Sequence, residues 1–202
     1  HQFSVAEIRT ATGLSNATIQ KSLAQWNLDP GVKPADLHAG SLRALPYPGG
    51  RHPRIGFRDG AIRPHRESKI SAFPPWANGG YVVVDIPEAI WSRPRPSREL
   101  LYLAHTHVPT RWDKQGIDLQ PLEWTRHGDG SYSVTRTLPN QVKFGARVKP
   151  TRTALQMELW ITNGSDETLT GLVVQNCVML KSSPDFSQLT TENNLLSSPF
   201  AA

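Results

Sequence analysis

Residues 154–180, ALQMELWITNGSDETLTGLVVQNCVML, decide the fold. Leu155, Met157, Leu159 and Ile161 alternate with Gln156, Glu158 and Trp160, the period of a strand that lays one face on a core. Asn163-Gly164-Ser165-Asp166 is turn chemistry, and Leu172 to Leu180 is a second apolar run. A strand, an Asn-Gly turn and a strand with no helix between them belong to an antiparallel sheet.

The same rhythm runs backwards along the chain. Val142 to Val148 and Ser131 to Leu138 meet at Pro139-Asn140, and His127-Gly128-Asp129-Gly130 is a hairpin signal after a strand expected over Leu119 to Arg126. Leu100 to Val108 and Gly80 to Ile86 are further β-branched or apolar runs, separated by an extended loop through Arg93-Pro94-Arg95-Pro96. Short strands set apart by turns imply a mainly β fold, an antiparallel β-sandwich over residues 76–202. Residues 31–75 hold Pro46, Pro48, Gly49, Gly50, Pro53 and Pro64 and are expected to be irregular.

Residues 1–30 predict a pair of short helices. Ser4-Val5-Ala6-Glu7 is a capping box, Val5, Ile8 and Ala11 form an apolar stripe, and Gly13 is placed to stop the helix. Ser15 or Asn16 caps a second helix carrying Ile19, Leu23 and Trp26, which Asp29-Pro30-Gly31 ends. Helix, turn and helix is also the outline of a DNA-reading motif. The would-be recognition helix offers only Lys21 to a phosphate, so nucleic acid is not expected as a partner.

A chain of 202 residues with 17 Pro and 15 Gly suits one turn-rich β domain that needs no disulfide to hold its core. Cys177 stands alone, which excludes an internal disulfide and a multi-Cys zinc site; its apolar neighbours suggest a buried structural thiol. No run approaches the ~18 apolar residues that span a bilayer. The chain opens on His1 without a signal peptide, and it is expected to be a processed or partial form; processing would accord with export. The net charge of +5 is concentrated in Arg43, Arg51, Arg54, Arg58, Arg63, Arg66 and Lys69, opposed there by Asp59 and Glu67 alone. That segment is either a solvated, carboxylate-paired loop or an attractor of anionic groups.

The chemistry is expected at Leu103-Ala104-His105-Thr106-His107. Residues two apart on a strand share a face, so His105 and His107 aim two imidazoles at one metal ion or one polar ligand. A divalent metal held by this pair needs a third ligand, for which His65, His52 and Asp113 are the candidates. A cupin would place a Glu shortly after the pair and a His far downstream; Arg111, Trp112 and Asp113 stand at the matching place. Gly49-Gly50-Arg51-His52-Pro53-Arg54 offers Arg51, His52 and Arg54 as ligand-binding groups without the spacing of a P-loop. Trp112 and Trp124 are candidate platforms for a sugar ring, and Glu123 beside Trp124 is a candidate acid or base. Glu88, Asp113, Asp118 and Glu123 could pair for glycoside chemistry. No G-x-S-x-G elbow is present, and Cys177 makes a poor nucleophile in apolar surroundings.

LPYPGGRHPRIGF (45–57), YVVVDIPEAIW (81–91), LAHTHVPTRW (103–112), LPN (138–140) and ELWITNGSDETLTGLVVQNCVMLK (158–181) resemble an uncharacterised bacterial family of β-sandwich proteins. The resemblance implies no activity; it implies a Cys-rich continuation beyond Ser198-Pro199-Phe200-Ala201-Ala202, and so a sandwich truncated at its C-terminus. The strand rhythm is also similar, at the level of fold, to the jelly-roll-like sandwiches of sugar mutarotases. The expected function is a carbohydrate-associated sandwich with a His105/His107 cleft doing acid/base chemistry on a sugar. The alternatives are a cupin-like, metal-dependent hydrolase or oxidoreductase using the same pair, and a non-catalytic glycan-binding module.

Overall fold

The first helix forms where its capping pattern places it. α1 spans Val5–Thr12; Ser4 Oγ accepts from the Glu7 amide at 3.2 Å and the Ser4 amide donates to Glu7 Oε2 at 2.8 Å. Gly13 takes φ 72°, the left-handed conformation that a side chain disfavours, and its N–H closes the helix on the Arg9 carbonyl. Ser15 Oγ accepts from the Thr18 amide at the head of α2, Asn16–Gln25, which buries Ile19 and Leu23. This computed structural model describes residues 3–25, 41–47, 68–75, 79–94, 96–104, 108–180 and 183; Trp26 and the Asp29-Pro30-Gly31 stop lie outside them.

The described strands make two antiparallel sheets. The first contains β1 (Arg43–Pro46), β2 (Lys69–Phe73), β3 (Val82–Ser92), β4 (Glu99–Leu103) and β9 (Val173–Met179). β3 is the hub. β2 pairs with its first half, Lys69 opposite Asp85, and β4 with its second, Ala89 opposite Leu103. β9 runs along the other edge, from Val83 opposite Met179 to Trp91 opposite Val173. The second sheet is a meander, β5 (Thr125–Arg126), β6 (Tyr132–Thr137), β7 (Val142–Pro150) and β8 (Leu155–Asn163).

The sheets pack face to face, as a sandwich requires. Ala44, Ile70 and Ile86 of the first meet Tyr132, Val134, Ala146 and Val148 of the second around Trp124. Ile90, Leu101 and Tyr102 meet Val142 and Phe144 in a neighbouring cluster. The helices dock through Glu7, whose carboxylate takes two hydrogen bonds from Arg126, at 3.0 and 2.6 Å. The Arg126 guanidinium lies 5.9 Å from the Phe3 ring and 5.8 Å from that of Tyr132, so the charge is enclosed by aromatic faces. The segment that carries the chain from β8 to β9 is pinned by Arg111, which donates to both oxygens of Glu167 at 2.9 and 2.7 Å. Those hydrogen bonds hold the Glu167 carboxyl below the usual carboxylate range.

The mainly β fold with two N-terminal helices is as expected, while several element boundaries are not. β1 and β2 arise within the stretch expected to be irregular, and both join the sheet. β3 continues through Pro87 to Ser92, beyond the strand expected over Gly80 to Ile86; the Ile86-Pro87 peptide is cis and the β9 register shifts between Asp85 and Ala89. Of the strand expected over Leu119 to Arg126, only Thr125–Arg126 forms. The strand expected to run from Leu100 to Val108 ends at Leu103.

Gly145 of β7 lies beneath the Trp160 ring. A Cβ there would fall 2.6 Å from Trp160 Cε2 and 2.7 Å from the Val134 carbonyl oxygen. Gly145→Ala is therefore expected to destabilise the protein by about 1–3 kcal/mol, the usual range for overpacking. Trp160→Ala in the same chain would recover only part of the loss, because the backbone contact stays. Urea midpoints of the three variants measure it.

Candidate functional site

β2, β3 and β9 place three chemically active side chains in one row. Lys69 stands opposite Asp85 and Asp85 opposite Cys177, and directly opposed residues project from the same face. This is the outer face of the first sheet, since Ile70 and Ile86, the neighbours in sequence, point into the core between the sheets. Lys69 and Asp85 have no solvent exposure, and Lys69 Nζ lies 2.5 Å from each Asp85 oxygen. The ammonium is also 5.9 Å from the centre of the Tyr47 ring. Burying both ions costs several kcal/mol, which close contact between them offsets.

Glu88 joins the row from the irregular stretch of β3. Its Oε2 accepts from Gln175 Nε2 at 2.5 Å, which ties it to β9 two residues from Cys177. The ligand atoms of Asp85, Glu88 and Cys177 all lie within 4.8 Å of one another. Burial pushes the Cys177 thiol up to about 11, with the negative charges of Glu88 and Asp85 adding to it and Lys69 opposing them. Left to itself the sulfur keeps its proton at neutral pH. A cation placed among the three groups would reverse that balance, because thiolate is the ligand form.

The residues expected to carry function fare differently. His105 and His107 lie outside the described residues, as do Arg51, His52, Arg54 and His65. Ala104, immediately before His105, donates its N–H to the Glu88 carbonyl at 2.7 Å, so the chain just after β4 is tied to the backbone of a cluster residue. Asp113 is exposed and committed locally: Oδ2 accepts from the amide and the hydroxyl of Thr110, both at 2.7 Å, at the start of a 3-10 turn over Asp113–Gln115. Glu123 and Asp118 are exposed and outside the cluster. Trp112 and Trp124 are 2% and 3% exposed and pack in the core, with Trp112 Nε1 donating to the Leu101 carbonyl. Stacking a sugar needs a solvent-facing ring, so neither indole is a platform here.

Sequence reasoning overlooked Lys69 and Asp85. Asp85 interrupts the apolar run Val82-Val83-Val84-Asp85-Ile86, and a charge inside such a run is a signal in its own right, because it must find a partner. Breaking the pair from either side strands a buried charge, so Lys69→Ala or Asp85→Ala alone should each cost about 3–5 kcal/mol. The double replacement Lys69→Met/Asp85→Leu should restore most of that stability, read by urea unfolding. Comparison with family models, curated proteins and solved structures finds no match to this chain.

Proposed function

We propose that this is a metal-dependent β-sandwich protein that holds a divalent ion among Asp85, Glu88 and Cys177, with His105 and His107 completing the ligand set. The observation that supports this reading is the convergence of one sulfur and two carboxylate groups on a single rigid sheet face. Thiolate, carboxylate and imidazole together suit zinc or another first-row divalent ion better than magnesium or calcium, which prefer oxygen alone. Lys69 fixes the orientation of the Asp85 oxygens, and Gln175 does the same for Glu88; outer partners of this kind position metal ligands. A bound ion would supply Lewis-acid polarisation of a substrate oxygen or an activated water.

The test is reconstitution with Co²⁺ and Zn²⁺ after chelation. One equivalent of Co²⁺ should give the near-ultraviolet charge-transfer band of a cobalt–thiolate bond, and Zn²⁺ should displace it. Cys177→Ser should abolish the band, and His105→Ala/His107→Ala should weaken binding at least tenfold. Because burial and the neighbouring carboxylates push the thiol up to about 11, each ion bound displaces one proton at lower pH. Affinity is therefore expected to rise roughly tenfold per pH unit between pH 6.5 and 9. A flat profile, or a cobalt complex without a thiolate band, would overturn the assignment.

A further inference from the structure

The outer face of the second sheet is built differently from the rest of the surface. Along β7 and β8 the register places Gly145 opposite Trp160, Arg147 opposite Glu158 and Lys149 opposite Gln156, all on the side away from the core. Gly145 is buried, whereas Arg147, Lys149, Gln156, Glu158 and Trp160 are exposed, and Trp160 is the one aromatic among them, 38% exposed. Its ring lies on the sheet rather than standing off it: the place of a Gly145 side chain is filled by Trp160 Cε2 and Cζ2. Gly145 thus lets the indole lie down with one face against the backbone and the other toward solvent. Beside it Arg147, Lys149, Gln156 and Glu158 line a shallow hollow of about 210 Å³.

We infer that this face binds a neutral polysaccharide laid along β8, beside β7. A sugar ring presents C–H groups on its faces and hydroxyls around its rim. A flat indole flanked by amide, carboxylate and guanidinium groups matches both features. Rows of side chains on one face repeat every ~7 Å along a strand, so Trp160, Glu158 and Gln156 offer contacts in line to successive units of a chain. The charges select the class of glycan. Arg147 and Lys149 are engaged by Asp129, at 3.1 and 3.3 Å; Glu158 stands opposite Arg147, and Lys143 is a third exposed cation on the same row of β7. Three cations against two carboxylates leave an excess of one, too little to build the strong positive field that recruits a polyanionic glycan, and the polar groups remain able to bond hydroxyls. The inference does not depend on the metal cluster, which lies on the other sheet.

Affinity electrophoresis in gels cast with hydroxyethylcellulose, arabinoxylan or galactomannan tests it, with chelator present throughout and alginate as the acidic comparison. The wild-type chain should be retarded by at least one of the neutral polymers, and that polymer should perturb the tryptophan fluorescence. Trp160→Ala should weaken retardation at least tenfold, and Trp160→Phe should retain part of it. Gln156→Ala/Glu158→Ala, which leaves the Gly145 packing intact, should weaken it severalfold, so that a Trp160 variant that fails to fold does not decide the matter. Absence of retardation by all three neutral polymers would overturn the inference. So would binding to alginate alone that salt removes, or retardation unchanged in the folded Trp160 and Gln156/Glu158 variants.

Discussion

An eleven-residue strand whose two edges must both be satisfied organises this molecule. Each backbone amide and carbonyl of β3 needs a partner, and no single neighbour provides it. On one edge β2 covers the first half and β4 the second, joined where the Tyr102 hydroxyl donates to Ser68 Oγ at 3.1 Å. On the other edge β9 runs the whole length and yields only between Asp85 and Ala89. The second sheet packs against this assembly, and the helices reach the sandwich through Glu7 and Arg126. Where the ladder of β3 is interrupted, Glu88 becomes available to side-chain chemistry, beside the one buried ion pair among the described residues with no solvent exposure.

That pair explains the placement of the cluster. Lys69 and Asp85 have been taken out of water at a cost that a hydrophobic pair of the same shape would not incur. Their retention beside a thiol and a second carboxylate fits a site that needs oriented, charged oxygens more than it needs stability. The surroundings of Cys177 act in the same sense. Burial and negative neighbours hold the sulfur protonated, and only a cation of higher charge density than the lysine would draw it into the thiolate form.

What the sequence made legible was local. The capping box at Ser4 and Glu7, the left-handed Gly13 and the turn at His127 to Gly130 are signals written within a few residues, and each appears where those residues place it. The alternation of Leu155, Leu159 and Ile161 likewise sets the inward face of β8. β2 was hidden because Lys69-Ile70-Ser71-Ala72-Phe73 is short and follows a stretch rich in Pro and Gly, and because its polar side is buried: all five residues are buried, with Lys69 against Asp85 on the facing strand. Pro87 disguised the second half of β3 by the same logic of local reading, since a proline normally ends a central strand. Trp112 and Trp124 looked like sugar platforms from their polar neighbours, whereas their depth depends on strands far away in the chain. The cluster of Asp85, Glu88 and Cys177 joins residues about ninety positions apart, beyond the reach of any motif spacing.

The pairing of β3 with β9 has a consequence for how the chain is made. A ribosome delivers β3 long before β9, and until Val173–Met179 emerges, one complete edge of the hub strand has no native covering from that segment. Val83, Val84 and Ile90 beside that edge are strongly β-forming, and an uncovered strand of that composition readily adopts the nearest extended chain as a substitute. Non-local closure of this kind is also slow. The order of synthesis thus leaves the hub strand exposed to intermolecular pairing until its last partner arrives, and the sequence of β9 decides when that exposure ends.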